Sequence, residues 1–294
     1  MMKSVAFLGL GAMGYRMASH LPKQFQDVRV WNRTTAKAQQ HAEQYQTQAV
    51  DLATAFQADV IFSCLPTSLE VYHLMLQAEE HGWLKTGSIW VDCTSGVPAY
   101  AKAMSENLKT YGVDFLDAPV SGQTIGAENG TLTVMVGGQA EAFERVYPAM
   151  QCFGKLIQHV GESGAGFAVK AVNNMLMAVN ICAVAEGLGT LKAHGVDLNS
   201  ALTCINASSG KSMVTETVFP QRVLNRAFPL TFALPLLDKD TGIALDLAQQ
   251  QKLATPVLST VRNLVNIANS QSTANDDFST IAKMYEQWHK STLE

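Results

Sequence analysis

No two of the five cysteines (Cys64, Cys93, Cys152, Cys182, Cys204) have C-x-x-C spacing, and no histidine pairs with them at metal-ligand intervals. That excludes a zinc ribbon and a disulfide scaffold, and points to reduced, mostly buried thiols in a cytoplasmic protein. Charge is scarce as well. Charged residues are 16% of the chain and the formal net charge is −4, so there is no basic footprint for nucleic acid or an anionic membrane. Low-complexity stretches and internal repeats are missing. The opening Met1-Met2-Lys3-Ser4 runs straight into an apolar strand, without the leader core expected of an export signal. The longest apolar run, near 175–185, is broken by Asn180 and followed by Glu186, which reads as a buried helix and not as a membrane span.

What is present is a core-forming chain of 294 residues with 47% hydrophobic content, long enough for two ordinary domains. In the first half, short β-branched runs alternate with helical patterns. Strands are expected at Val5–Leu8, Val28–Trp31, Val60–Ser63 and Ile89–Asp92, with helices at Met13–His20, 35–47 and 69–80 between them. Such alternation implies a parallel sheet covered by helices. Near 114–136 the spacing tightens. Phe115-Leu116 and Thr131–Val136 are joined by a glycine-rich loop too short for a full crossover helix, so a mixed sheet edge is expected. Beyond residue 163 strand signals nearly vanish, and helical patterns cover 166–193, 198–206, 212–224, 235–250, 255–269 and 277–290. The expected organisation is an α/β domain over 1–162 and an all-α domain over 163–294, divided near Gly161–Gly164.

Gly9-Leu10-Gly11-Ala12-Met13-Gly14 fits G-x-G-x-x-G, with a strand before it and a helix after it. The first glycine serves a tight turn, the second lets backbone approach a pyrophosphate, and the third lets helix and strand pack closely. This predicts a Rossmann-type dinucleotide site. The second strand ends in Trp31-Asn32-Arg33-Thr34, where an NAD site would usually offer Asp or Glu to the ribose hydroxyls. Asn32 is neutral and Arg33 is a planar cation suited to a 2′-phosphate, so NADP is favoured over NAD. The plainer reading of Arg33 is a solvent-facing loop residue.

The second feature is Gly164-Ala165-Gly166-Phe167-Ala168-Val169-Lys170-Ala171-Val172-Asn173-Asn174. Lys170 stands alone in an apolar helical run, with Asn174 one turn later on the same face. Burying an ammonium is costly unless something uses or neutralises it. Beside a dinucleotide site, a desolvated lysine suits proton transfer to or from an oxygen that gains or loses hydride on carbon. Burial and an oxidised nicotinamide would lower its pKa. The plainer reading is a lysine snorkelling off a core helix.

Four blocks in order, Gly9–Gly14, Asp117-Ala118-Pro119-Val120-Ser121-Gly122, Gly164–Asn174 and Lys239-Asp240, make the chain resemble the β-hydroxyacid dehydrogenases over nearly its whole length. The resemblance implies that Lys170 is the catalytic acid/base. Ser121, Gly122 and Asn174 would hold a small carboxylate substrate. It also implies that Leu65-Pro66 lines the adenosine side, that Thr94-Ser95 lies near the nicotinamide ribose, and that Lys239 reaches the cofactor. The sequence departs from the family at Gln123, where a second glycine is usual. A side chain there either narrows the pocket or adds a hydrogen bond.

The implied activity is NAD(P)-linked interconversion of a small 3-hydroxy acid and its semialdehyde or keto partner, in a homodimer or homotetramer. A glyoxylate or succinic semialdehyde-type reductase is a variant of that reading. An imine reductase is disfavoured by the lysine, and a cofactor-binding scaffold without chemistry is disfavoured by the intact Lys170–Asn174 pair.

Overall fold

A computed structural model describes residues 2–294. The chain divides into two compact units, Met1–Lys170 and Ala171–Glu294. The first holds a nine-stranded sheet. Its strands are β1 (Ser4–Leu8), β2 (Asp27–Trp31), β3 (Gln48–Ala49), β4 (Val60–Ser63), β5 (Ile89–Asp92), β6 (Asp114–Asp117), β7 (Val120–Ser121), β8 (Leu132–Gly138) and β9 (Gly154–Gly161). The order β3-β2-β1-β4-β5-β6 is parallel throughout. β8 then pairs antiparallel with β6 and β7, and parallel with β9, which is the mixed edge expected from the short loop.

Successive residues of the central strands alternate between two cores, as the period of two requires. Val5, Phe7, Val60, Phe62 and Val91 enter one cluster. Ala6, Leu8, Ile61 and Trp90 enter the other. Strands buried on both faces read as unbroken apolar runs, which is why β1, β4 and β5 were visible in the sequence, whereas β2 fully buries only Val28 and Val30 and shows as an alternation.

The helices are α1 (Gly14–Ala18), α2 (Thr35–Tyr45), α3 (Leu52–Ala55), α4 (Ser68–Glu80), α5 (Pro98–Thr110), α6 (Gln123–Asn129) and α7 (Ala140–Met150). The helix expected over Met13–His20 is shorter. Pro22 has no N–H to extend it, and a single 3-10 turn, Leu21–Lys23, takes over.

α8 (Ala165–Ala193) begins in the first unit and runs on into the second, followed by α9 (Leu198–Asn206), α10 (Leu234–Gln250), α11 (Pro256–Ser270) and α12 (Ile281–His289). Residues Val214–Val223 wind more widely, with Leu224 N–H donating five residues back to Phe219 and Pro220 inside the segment. Ala178, Ile181, Phe219, Leu237, Val265 and Phe278 share the core of the second unit.

By length and composition α8 is apolar enough to cross a membrane, and 39% of its most apolar window is buried inside the chain. One face of the helix stays open within the single chain. Val169, Val172 and Leu176, at helical spacing, are 40%, 43% and 53% exposed. Among the cysteines, Cys93 and Cys182 are buried, Cys64 and Cys152 partly so, and Cys204 is exposed, all unpaired as disulfides. Burial pushes the Cys64 thiol up to about 12, so it stays protonated.

Candidate active site

The first glycine of the dinucleotide loop is demanded by its backbone. Gly9 has φ +97, and a Cβ there would lie 2.5 Å from the Cys64 carbonyl oxygen. The third is demanded by packing, since a Cβ on Gly14 would sit 2.0 Å from the Gly9 carbonyl oxygen. Gly11 is different: a Cβ there would meet nothing within 4 Å. No packing inside the protein calls for glycine at 11, and its open side leaves room for the close approach of a dinucleotide phosphate.

Asn32 braces this loop. Its Oδ1 accepts from Leu10 N–H at 2.9 Å and its Nδ2 donates to the Thr34 carbonyl at 3.1 Å. Its side chain is therefore engaged with protein backbone, while Arg33 and Thr34 just beyond are exposed. At the ends of β4 and β5, Leu65 N–H donates to Thr94 Oγ1 at 3.0 Å, and Thr94 N–H donates to Asp92 Oδ1 at 3.1 Å. Pro66 is exposed and Ser95 half-buried. The loops after β1, β4 and β5 thus lie together at the carboxyl ends of neighbouring parallel strands, where ligands of such sheets bind.

Ser121 closes β7, half-buried; Gly122 follows at φ +133 and Gln123 at φ +58. Gln123 is a non-glycine residue in the left-handed region, a local strain. The sheet does not set this turn beside the dinucleotide loop, because β4, β5, β6 and β8 lie between β1 and β7.

On α8, Lys170 is 9% exposed and Asn174 3%. Four residues apart on one helix, they share a face. The Asn174 amide is held: its Nδ2 donates to Asp240 Oδ2 at 2.6 Å, and its Oδ1 accepts from Asn173 Nδ2 at 3.1 Å. Asp240 is buried, and its Oδ1 lies 3.2 Å from Lys239 Nζ. Lys239, Asp240 and Asn174 therefore form one connected set within the second unit.

Two buried carboxylates that hold parts of this region carry no signal of that role in the sequence. The sequence marks Asp240 only as the neighbour of Lys239. Its burial was foreshadowed by its spacing, since Leu237, Asp240, Thr241 and Ala244 fall on one helical face and all are buried. Asp117 was read only as the start of a motif. It is fully buried, its Oδ1 accepts from Gly164 N–H at 2.7 Å, and its Oδ2 accepts from Phe167 N–H at 2.9 Å. Burial, together with Asp92 on the adjacent strand, pushes its carboxyl up to about 6 against the pull of these N–H donors.

Residues 4–161 match the NAD-binding domain of 6-phosphogluconate dehydrogenase, and residues 164–285 match the NAD-binding region of NADP-dependent 3-hydroxyisobutyrate dehydrogenase. The chain is similar to 2-(hydroxymethyl)glutarate dehydrogenase of Eubacterium barkeri, 33% identical over 96% of this chain and 95% of the relative. It is also similar to the NAD-dependent L-serine dehydrogenase of Pseudomonas aeruginosa, 33% identical over 97% of this chain and 98% of the relative. Among solved structures, the 3-hydroxyisobutyrate dehydrogenase of Mycobacterium tuberculosis with L-serine superposes with a TM-score of 0.88. The two are 27% identical, and the match covers 97% of this chain and 99% of that one.

Proposed function

The chain belongs to the β-hydroxyacid dehydrogenases of the 3-hydroxyisobutyrate dehydrogenase type, and from that premise we propose that it catalyses NAD(P)-dependent interconversion of a small 3-hydroxy acid and its semialdehyde or keto partner. The observation that carries this reading is Lys170, an amine only 9% exposed on an otherwise apolar helix, with a fixed amide one turn away. An acid/base group of that kind is what a hydroxyl needs in order to give up its proton as its carbon gives up hydride.

When bound, the nicotinamide cofactor supplies the hydride acceptor or donor; the remaining work falls to the protein. Gly9, Leu10, Gly11, Ala12, Met13 and Gly14 form its phosphate loop. Asn32 holds that loop in shape, Arg33 and Thr34 border the adenosine ribose, and Leu65, Pro66, Thr94 and Ser95 complete the cofactor's surroundings. Ser121, Gly122 and Gln123 take the substrate carboxylate, with the hydroxyl and backbone N–H groups as donors. Asn174 orients the substrate, and Asp240 holds its amide in one rotamer. In oxidation Lys170 accepts the hydroxyl proton; in reduction it donates a proton to the carbonyl oxygen.

NADP is the favoured cofactor, on the exposed Arg33 and the neutral Asn32 where an acid would select NAD. The relative named as NAD-dependent makes this an open comparison for the assay. The exposed apolar stripe on α8 favours a homodimer or homotetramer in which a second copy covers it, and the unpaired cysteines fit a cytoplasmic enzyme. Residues 1–162 serve as the cofactor domain and 163–294 as the substrate and oligomerisation domain.

The test is a panel of short 3-hydroxy acids and semialdehydes assayed with NADP(H) and NAD(H). Turnover is expected with at least one pair. Cofactor binding without turnover across the whole panel would favour a scaffold without chemistry.

A further inference from the structure

α8 starts at Ala165, and its first-turn N–H groups need acceptors. The residue before it, Gly164, has no side chain with which to cap locally. The acceptor comes instead from Asp117, at the end of β6, 47 residues from Gly164 and 50 from Phe167. The surroundings are shaped for it. A Cβ on Gly137 would lie 2.6 Å from Asp117 Oδ1, and one on Gly166 would lie 3.0 Å from Oδ2. At φ +92, with an added Cβ 3.0 Å from the Pro98 carbonyl oxygen, position 164 has no room for a capping side chain of its own, so the cap must come from elsewhere in the chain. The arrangement holds the helix to the sheet at one point, and Lys170 follows Phe167 by three residues.

We propose that Asp117 is a positioning residue for Lys170: its carboxylate fixes the height and rotation of the first turn of α8 and so aims the lysine one turn later. This rests on the reading of Lys170 as the acid/base. Ionised, the carboxylate accepts both N–H groups. Protonated, one oxygen carries a hydrogen and that acceptor is lost, so the helix start loosens. Burial places this change near pH 6.

The group facing Asp117 from β5 is Asp92, its register partner. β8 contributes no titratable side chain, and Lys170 is the one in the first two turns of α8. His159 on β9 has its Nε2 on the Gly138 carbonyl at 2.7 Å. The charged residues of α5 (Lys102, Glu106, Lys109) and of α7 (Glu141, Glu144, Arg145) are exposed, and Arg145 pairs with Asp114.

The experiment measures kcat, KM and cofactor affinity across pH for the parent, Asp117→Asn and Lys170→Ala. Asp117→Asn resembles the protonated state, with one acceptor only. We expect kcat to fall on the order of 10- to 100-fold with KM and cofactor affinity little changed, and the acid limb near pH 6 to disappear. A purely structural role would lower the yield or thermal stability of the variant and leave the pH profile of the folded fraction as in the parent.

Should Asp117→Asn fail to fold, hydrogen exchange on the parent decides instead. Protection of the Gly164 and Phe167 amides should drop below about pH 6 together with kcat, while amides in the middle of α8 keep theirs. Parent-like kcat and pH profile in Asp117→Asn, or protection that does not follow kcat, would overturn the proposal. Full activity of Lys170→Ala would instead overturn the acid/base reading on which it stands.

Discussion

Gly166→Ala should slow turnover and lower thermal stability together, although alanine is the better helix former. Intrinsic propensity favours the alanine by about 1 kcal/mol in a helix interior. Against that, a Cβ at 166 would lie 2.3 Å from the Met135 carbonyl oxygen and 2.6 Å from that of Asp117. Both are backbone atoms of neighbouring sheet strands, so no side-chain rotation relieves the contact. The start of α8 must move away by roughly 1 Å to restore ordinary contact distances, at an overpacking cost of about 1–3 kcal/mol. The Asp117 cap stretches with it, which adds about 1 kcal/mol.

The net is a destabilisation on the order of 1–3 kcal/mol, several degrees in Tm. A displacement of about 1 Å one turn before Lys170 should reduce kcat by about 10²-fold. The assay is thermal unfolding at fixed protein concentration, alongside steady-state kinetics and cofactor titration. Gly187→Ala is the control, because on the same helix its Cβ would meet nothing within 4 Å. There propensity acts alone, raising stability by about 0.4–1 kcal/mol and leaving kcat unchanged. A Gly166→Ala protein as stable and as active as the Gly187→Ala control would refute the close-approach argument.

Three further outcomes are expected. Arg33→Ala should weaken NADP affinity by about 10-fold or more, the scale of a lost charge-assisted hydrogen bond, and leave NAD nearly unaffected; an unchanged preference would contradict the phosphate assignment. Gln123→Gly should relieve the left-handed strain at φ +58, raising stability by up to about 1 kcal/mol while shifting the substrate profile. A lower Tm there would mean that the side chain's own contacts outweigh the strain. Leu176→Arg should halve or quarter the mass seen by light scattering, because it sets a charge on the exposed apolar stripe of α8; a parent protein with the mass of one subunit would count against any covering partner.

Features set by local spacing were legible in the sequence. The dinucleotide loop, the doubly buried strands β1, β4 and β5, the alternating strand β2, and the helical second half follow from glycine positions and from periods of two and 3.6. Short or weakly patterned elements were not. β9 carries an exposed Leu156 and alternates poorly, and β3 is two residues long.

At the candidate site, residue identities were easier to read than their partners. Lys170 and Asn174 stood out from their apolar run. The carboxylates that hold the helix start and the amide, Asp117 and Asp240, act across 47, 50 and 66 residues of chain. Contacts at such separations leave no periodic trace. Asn32 shows the same limit: its place after β2 marked it for the cofactor side, while its side chain braces Leu10 and Thr34.

The central claim is that the buried Lys170 amine handles the substrate proton, and the most direct measurement compares Lys170→Ala with the parent, by nicotinamide absorbance for turnover and by fluorescence titration for cofactor binding. Removing an essential acid/base group should lower kcat by about 10²–10⁴-fold, with cofactor affinity close to that of the parent. Parent-like turnover in the variant would contradict the account.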